Sequence, residues 1–141
     1  MKKKKRKREE KDLARLARLV VHGEAPPEYE SLVEALRELR LTFSSKTDSW
    51  AFRAVYRCLL GVKRVGERHW LVKGSKKLGD KYPYYNVWLT SNGTYRCDCY
   101  YRAWGRRRRK EICTHVAAVI LHRRQRKLVE YAYEHKNSKN K

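Results

Sequence analysis

The chain has 141 residues, enough for one ordinary domain or a small domain with an appendage. Lys and Arg number 36 against 15 Asp and Glu, a formal net charge of +21, so the chain attracts polyanions, nucleic acid first and an anionic membrane surface second. No apolar run approaches the roughly eighteen residues of a membrane-spanning helix, and the basic N-terminus lacks the apolar stretch of a secretory signal. The expectation is a reducing, cytoplasmic setting with no membrane partner.

Residues 2–8 read KKKKRKR: Lys2, Lys3, Lys4, Lys5, Arg6, Lys7 and Arg8. Such a block repels itself, so a basic tail over 1–12 is expected, disordered unless phosphate holds it. A helical segment follows over 13–61. Leu13, Leu16 and Val20 recur at three and four residues from Lys11 onward, Gly23 supplies a C-cap, and Pro26-Pro27 forces a break. His22 then sits where a helix C-terminus favours positive charge. A second helix spans Glu28 to Arg40 on the stripe Leu32, Leu36 and Leu39. Its local charge is negative, so it faces solvent or a basic neighbour rather than phosphate. A third starts at Asp48 or Ser49 and ends at Gly61, with Trp50, Phe52, Val55, Tyr56, Leu59 and Leu60 as its apolar surface. Cys58 lies in this helix without a cysteine or histidine at ligand spacing and reads as a small core hydrophobe.

After Gly61 the period changes to two. His69–Val72, Tyr84–Thr90 and Tyr95–Cys99 predict strands, and Asn92-Gly93 between the last two is a strong hairpin signal. Residues 100–111 form a basic loop, and an apolar helix begins at Ile112. A module over 62–134 and a polar tail over 135–141 complete the organisation.

Chemistry concentrates in Cys97-Asp98-Cys99, thirteen residues, then Cys113-Thr114-His115. In a reducing compartment, clustered cysteines read as metal ligands rather than disulfides. Three cysteines and a histidine form a common tetrahedral set for one structural Zn²⁺. Residues two apart on a strand point to one side, so Cys97 and Cys99 can share an ion. Residues two apart on a helix point about 200° apart. Cys113 must therefore lie at or before the N-cap, with His115 in the first turn. There the helix dipole also stabilises thiolates.

The pattern resembles the SWIM zinc finger family, whose signature is C-x-C, a variable loop, then C-x-H. The resemblance covers about Gly66 to Arg124. It includes a strand before the hairpin, the aromatic-rich segment Tyr84-Tyr85-Asn86-Val87-Trp88-Leu89 and the apolar helix after His115. It implies Cys97, Cys99, Cys113 and His115 as ligands, and a module that binds nucleic acid or protein, as in transposases, remodelling ATPases and recombination-mediator subunits. The chain departs from the family in lacking their larger partner domains and in its unusually basic loop. The expected fold class is α+β, an N-terminal helical segment followed by a small zinc-bound β-meander plus helix.

A zinc with four protein ligands has no open position for water, so no metal-activated hydroxide is expected. The deaminase signature, a phosphate-cradling Gly-rich loop, a nucleophile elbow and H-E-x-x-H are all missing. The expectation is a non-catalytic protein without a small-molecule substrate. Arg102, Arg106, Arg107, Arg108, Arg109, Lys110, Arg123 and Arg124 are the candidate phosphate contacts beside the N-terminal block. Tyr100, Tyr101 and Trp104 interleave with them, either stacking on unpaired bases or closing the core around the metal. These features favour structured RNA, in a small ribosome-associated protein that could contact ribosomal proteins. DNA binding, or a protein–protein adaptor in recombination or transcription built on the acidic helix, is the alternative.

Overall fold

The computed structural model describes residues 2–101 and 112–139. Its fold is α+β, as expected. Helices α1 (Lys2–Val21), α2 (Glu30–Thr42) and α3 (Asp48–Leu60) lead into strands β1 (Val62–Gly66), β2 (His69–Lys73), β3 (Tyr84–Leu89) and β4 (Tyr95–Cys97), and helix α4 (Thr114–Lys139) closes the order. The strands form one antiparallel meander in sequence order.

Helix α1 begins at Lys2, well before Lys11, so the basic block continues the helix. Lys and Arg are good helix formers, and Glu9 and Asp12 stand one turn after Lys5 and Arg8, where opposite charges attract. The line of α1 that is fully buried is Ala14, Ala17 and Val20, with Leu13 and Leu16 half-buried at its flanks. Small residues along the contact let helix backbones approach closely. The helix stops as expected: Gly23 adopts φ +72 and donates to Val20 O, and Glu24 donates to Leu19 O.

Pro27–Tyr29 form a 3-10 turn, which delays α2 to Glu30. Leu32, Leu36 and Leu39 are buried as the stripe requires, and Glu30, Glu34 and Glu38 are exposed. Helix α3 is capped by Thr47, one residue before the expected cap, whose hydroxyl accepts from Trp50 N at 3.2 Å. Asp48 instead occupies the first turn, where its carboxylate meets the positive helix end and pairs with Arg40 at 2.6 Å.

Strand β1 has no apolar alternation, with four exposed residues of five, which is why periodicity alone misses it. Backbone pairing with β2 holds it in place. The β3–β4 connection is also longer than a two-residue Asn-Gly turn. Gly93 donates to Thr90 O, Thr90 donates to Thr94 O, and Gly93 alone takes positive φ, at +85. This is a three-residue loop with glycine in the left-handed position.

Two apolar cores result. One lies among the helices: Ala14, Ala17, Leu32, Leu36, Leu39, Trp50, Ala54 and Val55 pack with Ala117 and Leu121 of α4. The other lies between sheet and helix: Trp70, Val72, Tyr85 and Val87 pack with Val116 and Val119, around the three clustered cysteines. Helix α4 therefore contributes opposite faces to two cores. Trp50 Nε1 also donates to Ile112 O at 3.3 Å, tying α3 to the residue preceding Cys113.

The loop between β2 and β3 is closed by Gly74 N donating to Pro83 O at 2.8 Å. A Cβ on Gly74 would stand 1.9 Å from Tyr82 O, so no side chain fits there without moving the loop. Gly74→Ala is expected to lower the thermal midpoint by several degrees while far-UV circular dichroism keeps its helical signature. An unchanged midpoint would mean that the loop is not held as described.

Candidate metal centre

Cys97 ends strand β4, and the chain then tightens into a 3-10 turn over Asp98–Tyr101. Cys99 thus belongs to the turn and not to a continuing strand, which corrects the expected strand over Tyr95–Cys99. The turn, rather than strand alternation, brings the Cys99 sulfur beside that of Cys97. Cys113 directly precedes α4 and His115 is its second residue, the one arrangement in which this pair can converge. Cys113 O accepts from Ala117 N at 3.0 Å, and Cys113 Sγ accepts from Val116 N at 3.4 Å. The cysteine therefore acts as an N-cap, satisfying an orphan amide through its sulfur.

The ligand atoms of Cys97, Cys99, Cys113 and His115 all lie within 4.8 Å of one another, and all four residues are buried. A tetrahedral zinc with Zn–S bonds of about 2.3 Å sets its sulfurs roughly 3.8 Å apart, so the cluster is consistent with a C-x-C…C-x-H zinc site. No disulfide links these cysteines.

The histidine gives an independent indication. Its Nε2 bonds Asp80 Oδ1 at 3.1 Å. Its Nδ1 is buried with no hydrogen-bond partner among the described residues. A buried, unpaired imidazole nitrogen is costly, and with Nε2 taken by Asp80 it is the nitrogen left for an ion at the cluster. A metal ion would satisfy it, and the carboxylate on the other nitrogen would fix ring orientation and raise basicity. Tyr85 stacks on the ring at a centroid distance of 4.1 Å and restricts its rotation.

Asp80 is held from several sides. Its Oδ2 pairs with Arg57 and accepts from Ser75 N at 2.8 Å. Its own N–H donates to Ser75 O at 2.9 Å. Arg57 Nε in turn donates to Thr114 Oγ1 at 2.9 Å, between the two α4-side ligands. The side chains of Arg57 and Asp80 are only 4% and 7% exposed. Burial alone would raise the Asp80 carboxyl, but the bonds from His115, Arg57 and Ser75 outweigh it and hold it well below the usual carboxylate range.

The ligands share protons in the same way. Burial opposes charge on His115, yet Asp80 and the Cys113 and Cys99 thiols raise its pKa to about 10. Burial would also raise the Cys113 thiol, but Cys97, Cys99 and His115 bring it well below the ordinary range, while hydrogen bonding to Cys113 and Cys99 pushes Cys97 up. Protons and metal compete for the same atoms, so metal uptake releases protons. Cys58 stands apart. It packs against the helical core, and burial pushes its thiol up to about 12, which leaves it inert at neutral pH.

The sequence pattern does not reveal Asp80, which reaches His115 across 35 positions. Arg57 carries a weak signal: a charged residue on the stripe formed by Trp50, Ala54 and Val55 must find a buried partner.

The basic residues are placed more variously. Lys4, Lys5, Lys7 and Arg8 are exposed on α1. The side chains of Lys2, Lys3, Arg6, Tyr100 and Tyr101 lie outside the described set, as do Arg102, Trp104, Arg106, Arg107, Arg108, Arg109 and Lys110 altogether. Arg123 sits 5.0 Å over the Trp70 ring and donates to Tyr95 Oη at 2.6 Å, an engagement with the sheet rather than with solvent. Arg124 Nη1 is buried without a hydrogen-bond partner among the described residues. No described helix is long and apolar enough to cross a membrane.

No protein-family model, curated protein or solved structure matches the chain.

Cys97→Ser is expected to abolish stoichiometric metal by elemental analysis and to expose residues 84–99 to protease, whereas Cys58→Ser keeps both at the parental level. Equal metal content in the two variants would refute the ligand set. Asp80→Asn leaves Arg57 without its counter-charge and weakens the hold on His115. Metal affinity, read by competition with a chromophoric chelator, should fall about 10- to 100-fold. Parental affinity would reduce Asp80 to a purely structural partner of Arg57.

Proposed function

We propose that the protein is a zinc-stabilised, non-catalytic nucleic-acid-binding protein related to SWIM zinc fingers, with RNA as the preferred ligand in a ribosome-associated setting. The observation that carries this reading is the charge, 36 cations against 15 acids. Many of these cations stand exposed on defined elements, including Lys4, Lys5, Lys7 and Arg8 on α1 and Arg126 and Lys127 on α4. A charge of that density gains most from phosphate, through release of condensed counterions.

Zinc suits the donor set: three soft sulfurs and one imidazole nitrogen. Cys97, Cys99, Cys113 and His115 would hold it. Four protein ligands fill a tetrahedral shell, so the ion's contribution is structural: it crosslinks the β4 turn to the start of α4. Three thiolates with one divalent ion leave a net negative charge, while buried Arg57 balances Asp80, the carboxylate behind His115. The order of ligands, with strand and hairpin before them and an apolar helix after them, supports kinship with SWIM modules.

A second reading rests on α2, whose Glu30, Glu34 and Glu38 are exposed in a strongly basic chain. That face suits a basic protein partner and would make the molecule an adaptor, in a DNA-linked process such as recombination or transcription.

Sedimentation of untreated cell extract separates these readings. Co-migration with one ribosomal subunit, retained at moderately high salt, is the expected result. Migration as a light species, or with chromosomal DNA, would discard the ribosomal reading in favour of the adaptor or DNA-binding one.

A further inference from the structure

The β-sheet has two unlike faces. Register puts Val62, Val72 and Tyr85 in one row and Trp70, Val87 and Cys97 in the next, and these face α4 and the metal cluster. The alternate positions point the other way. They form the rows Lys63–Leu71–Asn86, His69–Trp88–Arg96 and Lys73–Tyr84. Asp98 of the following turn accepts from Asn86 N and Nδ2. His69 Nε2 bonds Asn86 Oδ1 at 2.7 Å, and the His69 ring stacks on Trp88 at 5.3 Å with 19° between planes.

We infer that this outer sheet face is a stacking surface for unpaired bases of a single-stranded nucleic acid, with Trp88 and Tyr84 as its platforms and Lys63, Lys73 and Arg96 beside the phosphates. The inference rests on the nucleic-acid reading and gives it a location. Tyr84, the first residue of β3, is 55% exposed opposite Lys73. Trp88 is half-buried, and its ring stacks on His69, which Asn86 holds by a hydrogen bond. Lys73 is the register partner of Tyr84 and Arg96 that of Trp88, while Lys63 stands on the same face beside Leu71, and all three are exposed. The acids nearby are few: Asp98 is occupied by Asn86, and Glu67 lies in the β1–β2 turn. Rings on a rigid sheet flanked by cations suit a polyanion whose bases are free to stack, because every base has a π-face. A duplex hides those faces and would gain only the phosphate contacts.

The test uses the full-length metal-loaded protein with a short fluorescein-labelled oligouridylate, the oligothymidylate of equal length, and a duplex. Trp88→Ala and Tyr84→Ala should each weaken single-strand binding about 5- to 150-fold, Trp88→Phe should restore most of it, and duplex affinity should change little. Losses on both oligomers, equal or unequal, support the stacking surface. Photocrosslinking of a 4-thiouridine oligomer to the parental protein needs no variant to fold, and its crosslinks should map to 84–88. Single-strand binding that survives both alanine variants, with crosslinks confined to α1 or 102–110, would overturn the sheet proposal and leave nucleic-acid binding intact. Absence of binding to any of the three probes at low salt would overturn both.

Discussion

The buried carboxylate of Asp80 is the constraint through which the parts of this molecule are joined. It comes from the β2–β3 loop, grips the histidine at the start of α4, and pairs with an arginine of α3 that itself bonds Thr114. Three elements distant in sequence thus meet at one group. A buried ion pair of this kind adds little net stability over an apolar replacement, because desolvation consumes most of the attraction. Removing one partner is a different matter and costs about 3–5 kcal/mol, since the other charge is left unpaired. The value of the arrangement is geometric: it sets which nitrogen of His115 is left for an ion at the cluster.

From that point the division of labour follows. The helical core is built of Leu, Ala, Val and aromatic side chains and resembles any small bundle. The sheet core is much smaller, and cysteines occupy a substantial part of it. A layer with so little apolar area needs another source of stability, and a metal crosslink at the Cys97/Cys99/Cys113/His115 cluster would supply it. Helix α4 carries the consequence across, because Val116 and Val119 belong to the sheet side while Ala117 and Leu121 belong to the helices.

Much of this was legible from residues alone. Leucine spacing gave α2, Gly23 and Gly61 marked helix ends, and the spacing of Cys97, Cys99, Cys113 and His115 gave the cluster together with the need for Cys113 to precede the helix. What escaped did so for physical reasons. Strand β1 is held by backbone pairing and has no buried alternation to announce it. The basic block continues α1 because good helix formers, with acids one turn on, offset some of its self-repulsion. Asp80 and Arg57 are joined through tertiary contacts that no local pattern encodes, and Cys99 reaches its neighbour through a tight turn where strand geometry was expected.

In the proposed site, three sulfurs and the Nδ1 of His115 hold one zinc ion that closes the sheet onto α4. X-ray absorption at the zinc edge, on protein purified without added metal, tests it most directly. The expected coordination is three sulfurs at about 2.3 Å and one nitrogen at about 2.0–2.1 Å. A shell containing water or carboxylate oxygen, or a folded protein with no bound metal, would contradict it.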